Sequence, residues 1–199
     1  MSDTRPPEIV LVRHGETEWT LSGQHTGSTD IPLTERGRAD AKAVGQALKD
    51  RRFALALTSP LSRATETCRL AGLGDNVVVR DELVEWGYGD YEGRKTVDIR
   101  KERPGWSLWR DGVPNGESAA DVAARVDRVI RDLRAVDGDA VVFAHGHLLR
   151  VLAARWLGLE PEAGRLFALD PATISVLGYE RENAVIRVWN EHCAVERRR

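Results

Sequence analysis

The chain holds two cysteines in 199 residues, Cys68 and Cys193, far apart and in no metal-binding or redox spacing. That excludes a disulfide framework and reads as two inert thiols in a reducing cytoplasm. Long apolar runs are missing as well: none approaches membrane-spanning length, and no apolar signal segment stands at the N-terminus. Charge of one sign is also lacking. Lysine and arginine number 29 against 31 aspartate and glutamate, leaving a net charge of −2. Nucleic acid is therefore not expected as the principal partner. No Gly-x4-Gly-Lys-Ser/Thr loop occurs, nor any internal repeat or low-complexity linker. What is left is one domain over residues 1–199, long enough to bury a sizeable core. Tryptophan is not scarce: there are six, with Trp86, Trp106 and Trp109 in one middle segment.

Apolar runs of strand length fall at residues 8–13, 54–58, 77–79 and 139–144, with two closing strands at 173–178 and 184–189. The run at 77–79 reads as short and buried. Between them, Thr34 caps a helix to about residue 49, with Glu35 at its positive end. Ser59-Pro60 reads as the start of another helix, the serine as cap and the proline in the first turn. Helical spacing continues over 118–135 and 146–157. Residues 15–33 read as an active-site loop. Residues 81–116 form a long insertion rich in glycine, tryptophan and charge, with short helices near 95–102 and 104–110. The arginines at 197–199 read as a solvated tail. Such alternation of strands and helices predicts an α/β sandwich with a mostly parallel sheet.

Two of the strands end in histidine followed by glycine: His14-Gly15 and His145-Gly146. In a parallel sheet the carboxyl ends point the same way, where ligands bind. A single such histidine reads as structural. Two at equivalent strand ends, one preceded by Arg13, point to a shared pocket. Arginine suits a bidentate anion such as phosphate, and imidazole serves as nucleophile, acid or base near neutral pH. His145-Gly146-His147 also allows a metal reading with His14, Glu16 or Asp90. A pocket lined by arginines would repel a divalent cation, so no metal is expected. His147 is expected to pack or hydrogen-bond behind the site. The string from Glu85 to Gly93 misses a G-x-G-x-x-G nucleotide fingerprint by one residue.

The segment Leu11-Val12-Arg13-His14-Gly15-Glu16-Thr17 resembles the Arg-His-Gly motif of the histidine phosphatase superfamily, the phosphoglycerate-mutase-like enzymes. Similarity continues through Gly23 to Gly27, Asp30 to Thr34, Ser59 to Ala64, Glu85 to Gly93 and Ala144 to His147. It implies a single histidine-phosphatase domain with a three-layer α/β/α sandwich of phosphoglycerate-mutase type. By this resemblance His14 is the nucleophile, Arg13, Arg63 and a protonated His145 grip the phosphoryl oxygens, and Glu85 supplies the proton. Glu82 and Glu92 are the competing carboxylates, Glu82 facing solvent and Glu92 stapling a loop. Trp86 would raise the pKa of Glu85 by desolvation. The expected substrate contacts are Arg13, Gln24, His25, Thr26, Gly27, Arg63, Trp86, Tyr88, Arg110 and Gly146, with Trp86, Tyr88, Trp106 and Trp109 as walls. No metal or organic cofactor is implied.

Within that family, mutases carry Glu-Arg-His-Tyr-Gly where this chain has Glu85-Trp86-Gly87-Tyr88-Gly89, and a more basic insertion. The phosphatase branch is closer, notably fungal sedoheptulose bisphosphatase and mycobacterial acid phosphatases. The expected reaction is thus metal-independent hydrolysis of a small phosphomonoester, a sugar phosphate or bisphosphate, through a phosphohistidine. The alternatives are mutase-type phosphoryl transfer and a catalytically inactive phospho-ligand-binding module. The expected partner is a small phosphorylated metabolite, met by a monomer or a homo-oligomer, with neither nucleic acid nor membrane involved. Activity is expected at mildly acidic to neutral pH.

Overall fold

The computed structural model of the protein describes residues 5–193; the arginines at 197–199 lie outside the described residues. The central strands are apolar on both faces because both are covered. In β1 (Ile9–Arg13), Ile9 and Leu11 pack under α6 (Ala119–Ala135) and α7 (Gly146–Trp156). Val10 and Val12 pack under α2 (Glu35–Leu48) and α3 (Ser62–Leu70). β4 (Ala140–Ala144) repeats the pattern, with Val142 and Ala144 on the first face and Val141 and Phe143 on the second. Helices on both faces of one sheet give the three-layer α/β/α sandwich.

The sheet runs β3-β2-β4-β1-β5-β6, with β2 (Leu55–Thr58), β3 (Val78–Val79), β5 (Thr173–Glu180) and β6 (Asn183–His192). Pairings β1–β4, β4–β2 and β2–β3 are parallel, whereas β5 and β6 close the far side antiparallel. Parallel register puts Arg13 opposite Ala144, and Thr58 opposite Phe143. The next residues, His14, Ser59 and His145, therefore leave the sheet at one edge. His14 N donates to Ala144 O at 2.9 Å and Ser59 N to Phe143 O at 3.0 Å, so the ladder continues through the turn.

Three local expectations are corrected. The strand at 78–79 is not buried: its valines are about half exposed, because β3 is the sheet edge and has only β2 beside it. The helix after Ser59-Pro60 begins at Ser62, with Leu61 in the cap position and no side-chain cap. Ser59 does not cap that helix because its hydroxyl faces His145. Residues 15–33 contain a short helix, α1 (Glu18–Ser22), closed by a reciprocal Thr17–Thr20 capping box. The insertion holds α4 (Thr96–Glu102) and α5 (Leu108–Asp111) and is otherwise irregular. Trp86, Tyr88, Tyr91 and Trp106 from it are buried and extend the core beneath α6 and α7. Among the described residues, no helix is long and apolar enough to cross a membrane.

Candidate active site

His14 sits where β1 ends, nearly buried. Its Nδ1 lies 2.7 Å from Gly15 O. A carbonyl only accepts, so Nδ1 carries the proton and Nε2 is the bare nitrogen. The turn is set by close backbone approach: a Cβ on Gly15 would lie 2.5 Å from Gly37 O, and one on Gly37 2.2 Å from Glu16 O. Two glycines thus let the start of α2 press against the histidine turn. Thr67 of α3 fastens it, accepting from Gly15 N at 3.0 Å and donating to Arg63 O at 2.6 Å. Burial, then the Arg13 and Arg63 guanidiniums, hold the His14 pKa well below the ordinary imidazole value. The ring stays neutral at physiological pH, as a nucleophile requires.

Arg13 is half-buried beside it, with its Nε enclosed. One Nη donates to Leu169 O, and Nε has no hydrogen-bond partner among the described residues. A buried unpaired donor is costly, and here it stands at the edge of the nucleophile. Gly146 makes room for it, since a Cβ there would approach Arg13 Cζ to 3.2 Å.

His145 and Arg63 stand one layer behind. The His14 and His145 rings are 5.1 Å apart. Arg63 Nε donates to His145 Nδ1 at 3.2 Å, so that nitrogen carries no proton, and His145 Nε2–H donates to Ser59 Oγ at 2.8 Å. The remaining Arg63 donors take the carbonyls of Thr26, Gly27 and Thr29. Burial and the neighbouring His14, Arg63 and Arg13 hold the His145 pKa well below its ordinary value. The expected imidazolium at His145 is thus corrected to a neutral ring. Four cationic or potentially cationic groups in one buried cluster leave no room for another charge.

Glu85 comes from the insertion. Its Oε1 accepts from Trp86 N and Leu148 N at 2.9 and 2.8 Å, and its Oε2 from His147 N at 2.9 Å. The carboxylate therefore docks on the positive first turn of α7. Trp86 does not line the site: its indole is buried, edge-on to Trp109 at 5.5 Å, with Nε1–H donated to Glu117 O. The competing carboxylates separate cleanly. Glu82 is paired with Arg80, which holds its pKa down to about 2. Glu92 staples the loop before α2, accepting from Gly27 N and Thr29 N.

These groups open into a cavity of about 190 Å³. It is lined by Arg13, His14, Glu85, Tyr88, Gly146, His147 and Arg150 on one side, and by Trp19, Thr20, Gly23, Gln24, His25 and Thr26 on the other. Among the expected contacts, Arg13, Gln24, His25, Thr26, Tyr88 and Gly146 lie on it. Gly27, Arg63 and Trp86 do not. Arg110 is exposed and bound to Asp111 and Gly105 O, because the short α5 that carries it faces solvent. Trp106 and Trp109 are packing residues, Trp106 tied through Nε1 to Gly112 O and Trp109 covered by Arg150 at 4.7 Å. His147 is on the cavity wall rather than behind it, with Nδ1 2.7 Å from Tyr88 OH. Arg150 was not foreseen. Its signal is an arginine one turn after Gly146 within the apolar run of α7. Among the described residues, no three His, Cys, Asp or Glu side chains gather as a metal-ligand set.

This geometry has counterparts in known proteins. The chain is 39% identical over 180 residues to an acid phosphatase of Mycobacterium tuberculosis, covering 88% of each. It is 40% identical over 186 residues to sedoheptulose 1,7-bisphosphatase of Saccharomyces cerevisiae, covering 77% of this chain and 68% of that one. A 2,3-bisphosphoglycerate-dependent phosphoglycerate mutase of Mesorhizobium japonicum is 42% identical over 164 residues, covering 72% and 78%. The solved structure of a functionally characterised M. tuberculosis open reading frame superposes with a TM-score of 0.90 at 36% identity, over 96% of this chain and all of that one. Residues 9–192 match the family model of the histidine phosphatase superfamily, branch 1, and the chain belongs to that family.

Proposed function

We propose that the protein is a metal-independent phosphatase that hydrolyses a small phosphomonoester, a sugar phosphate or bisphosphate, through a phosphohistidine on His14. The observation that carries this reading is the pairing of a neutral imidazole, its Nε2 bare, with an Arg13 Nε–H that has no partner among the described residues, in one open cavity. A phosphoryl group seated there meets a nucleophile and a donor at once.

In the first step His14 Nε2 attacks phosphorus in line as the bond to the leaving oxygen breaks. Glu85 gives that oxygen a proton. In the second step water attacks the phosphohistidine, Glu85 takes the proton back, and orthophosphate leaves His14 as it began. Arg13 donates to the equatorial oxygens, where transition-state charge gathers. Arg63 and His145 do not line the cavity, so the direct charge-assisted bonds are those of Arg13, with the buried Arg63 guanidinium adding its positive field from behind. Such charge-assisted bonds are about twice as strong as neutral ones.

Hydrolysis is favoured over return of the phosphoryl group because the insertion offers the cavity no free guanidinium. Arg110 is spent on Asp111. Arg150 supplies the cavity's second lining arginine from α7 instead, beside His147 and His25, and suits a further anionic group on the substrate. The names of the acid phosphatase and bisphosphatase relatives support the same class. A cytoplasmic setting belongs to this reading, supported by two unpaired cysteines, Cys68 being buried.

The test is a screen of phosphorylated metabolites for phosphate release, with exhaustive chelation as control, and rapid quench of the best substrate. Acid-labile, alkali-stable phosphate on His14 and full activity without divalent ions are expected. Label on another residue, or activity restored only by one metal ion, would overturn the reading.

A further inference from the structure

Arg125 lies on α6, is 7% exposed and does not line the cavity. It nevertheless makes five donor contacts, three to carbonyls of residues 82–85 and two to the Glu117 carboxylate. One Nη donates to Glu82 O and Val84 O at 2.7 and 2.6 Å, and the other to Glu85 O at 3.1 Å and Glu117 Oε2 at 2.9 Å. Nε donates to Glu117 Oε1 at 2.8 Å. Glu117 completes the frame: its Oε2 accepts from Gly87 N at 2.7 Å, its carbonyl accepts from the Trp86 indole at 2.8 Å, and its N–H donates to Gly87 O at 2.8 Å. Main-chain groups on both sides of Glu85 are thus tied to one partly buried ion pair, in a segment whose regular structure ends with the single 3-10 turn at Asp81–Leu83.

We infer that Arg125, braced by Glu117, is a positioning residue for the proton donor, holding the backbone at 82–87 so that the Glu85 carboxylate reaches the first turn of α7 and the cavity. This rests on the reading of Glu85 as the acid. The role calls for a guanidinium: a planar fork spans three carbonyls and a carboxylate, which an ammonium on a flexible stem does not. Positioning errors of about an ångström cost on the order of 10²-fold in rate.

The experiment uses Arg125→Lys, which keeps a cation against the partly buried Glu117 carboxylate. An alkyl phosphate, whose leaving group needs the proton, is compared with p-nitrophenyl phosphate, which needs it little. Expected is a kcat loss of roughly 10²-fold on the alkyl phosphate, a change below about threefold on the aryl ester, and unaltered KM on both. Combined with Glu85→Gln, the lysine variant should add no further loss. Equal slowing of both substrates, or full additivity with Glu85→Gln, would overturn the inference. If Arg125→Lys does not fold, Glu117→Gln replaces it, and about tenfold discrimination is expected. Glu85→Gln alone separates the two levels. No leaving-group discrimination there defeats the acid assignment, whereas discrimination there but not in the Arg125 variant defeats only the positioning role.

Discussion

His14 and His145 leave the ends of neighbouring parallel strands, while Glu85 leaves no regular element at all. On the strand side, the ladder continues one hydrogen bond past the sheet through His14 N and Ser59 N, the His14 tautomer is set by its own next residue, and the His145 ring is set by Ser59 at the neighbouring strand end and by Arg63. On the insertion side, Glu85 is placed by groups distant in sequence: the amides of His147 and Leu148, and the Arg125–Glu117 brace. One half of the site is thus local and rigid by construction. The other half is assembled from tertiary hydrogen bonds, each worth about 1–3 kcal/mol where a charge takes part. Substitutions should separate the two: strand-side changes should remove chemistry without moving anything, and insertion-side changes should act at a distance.

The largest effect is expected from His14→Ala. Turnover should fall on the order of 10⁴–10⁶-fold, the scale seen when a covalent nucleophile is removed. Circular dichroism and the thermal midpoint should remain near wild type, because β1 keeps its pairing on both sides. A large loss of stability would show that the strand end is less independent than the comparison holds.

A smaller effect is expected from Glu92→Ala, which removes the insertion's hold on Gly27 N and Thr29 N. The loop whose carbonyls receive Arg63 should loosen, and KM should rise by roughly tenfold with kcat less affected. A kcat loss with unchanged KM would move Glu92 from staple to participant.

The smallest effect concerns pH. His14 must be neutral, and its folded pKa lies well below the ordinary value near 6.5. The acid limb of kcat/KM should therefore fall well below 6.5, with activity flat from about pH 7 to pH 6. Stability should follow the same groups. Because folded His14, His145 and His147 resist protonation more than the unfolded chain does, the unfolded state binds more protons below about 6.5, and stability declines as pH falls toward the depressed values. An acid limb at or above 6.5 would show that burial and the arginines do not hold the His14 ring neutral.

Sequence alone carried the strand side. The β-branched runs into Arg13-His14-Gly15 and into His145-Gly146 dictate two buried strands, and parallel pairing makes their ends meet, so the pair was legible before any coordinates. Thr34, Ser118 and the apolar spacing of α6 and α7 placed the helices to within a residue or two, because caps and periodicity are local. Tertiary structure alone decided the rest. Whether Arg63 faces a ligand or three backbone carbonyls, whether Trp86 walls the site or packs beneath it, and what anchors Glu85 depend on partners 31 to 63 residues away, and whether Arg110 or Arg150 reaches the cavity depends on which helix lines it. A hydrogen-bond donor in sequence announces its chemistry but not its acceptor, and burial settles the acceptor only once the chain has closed around it.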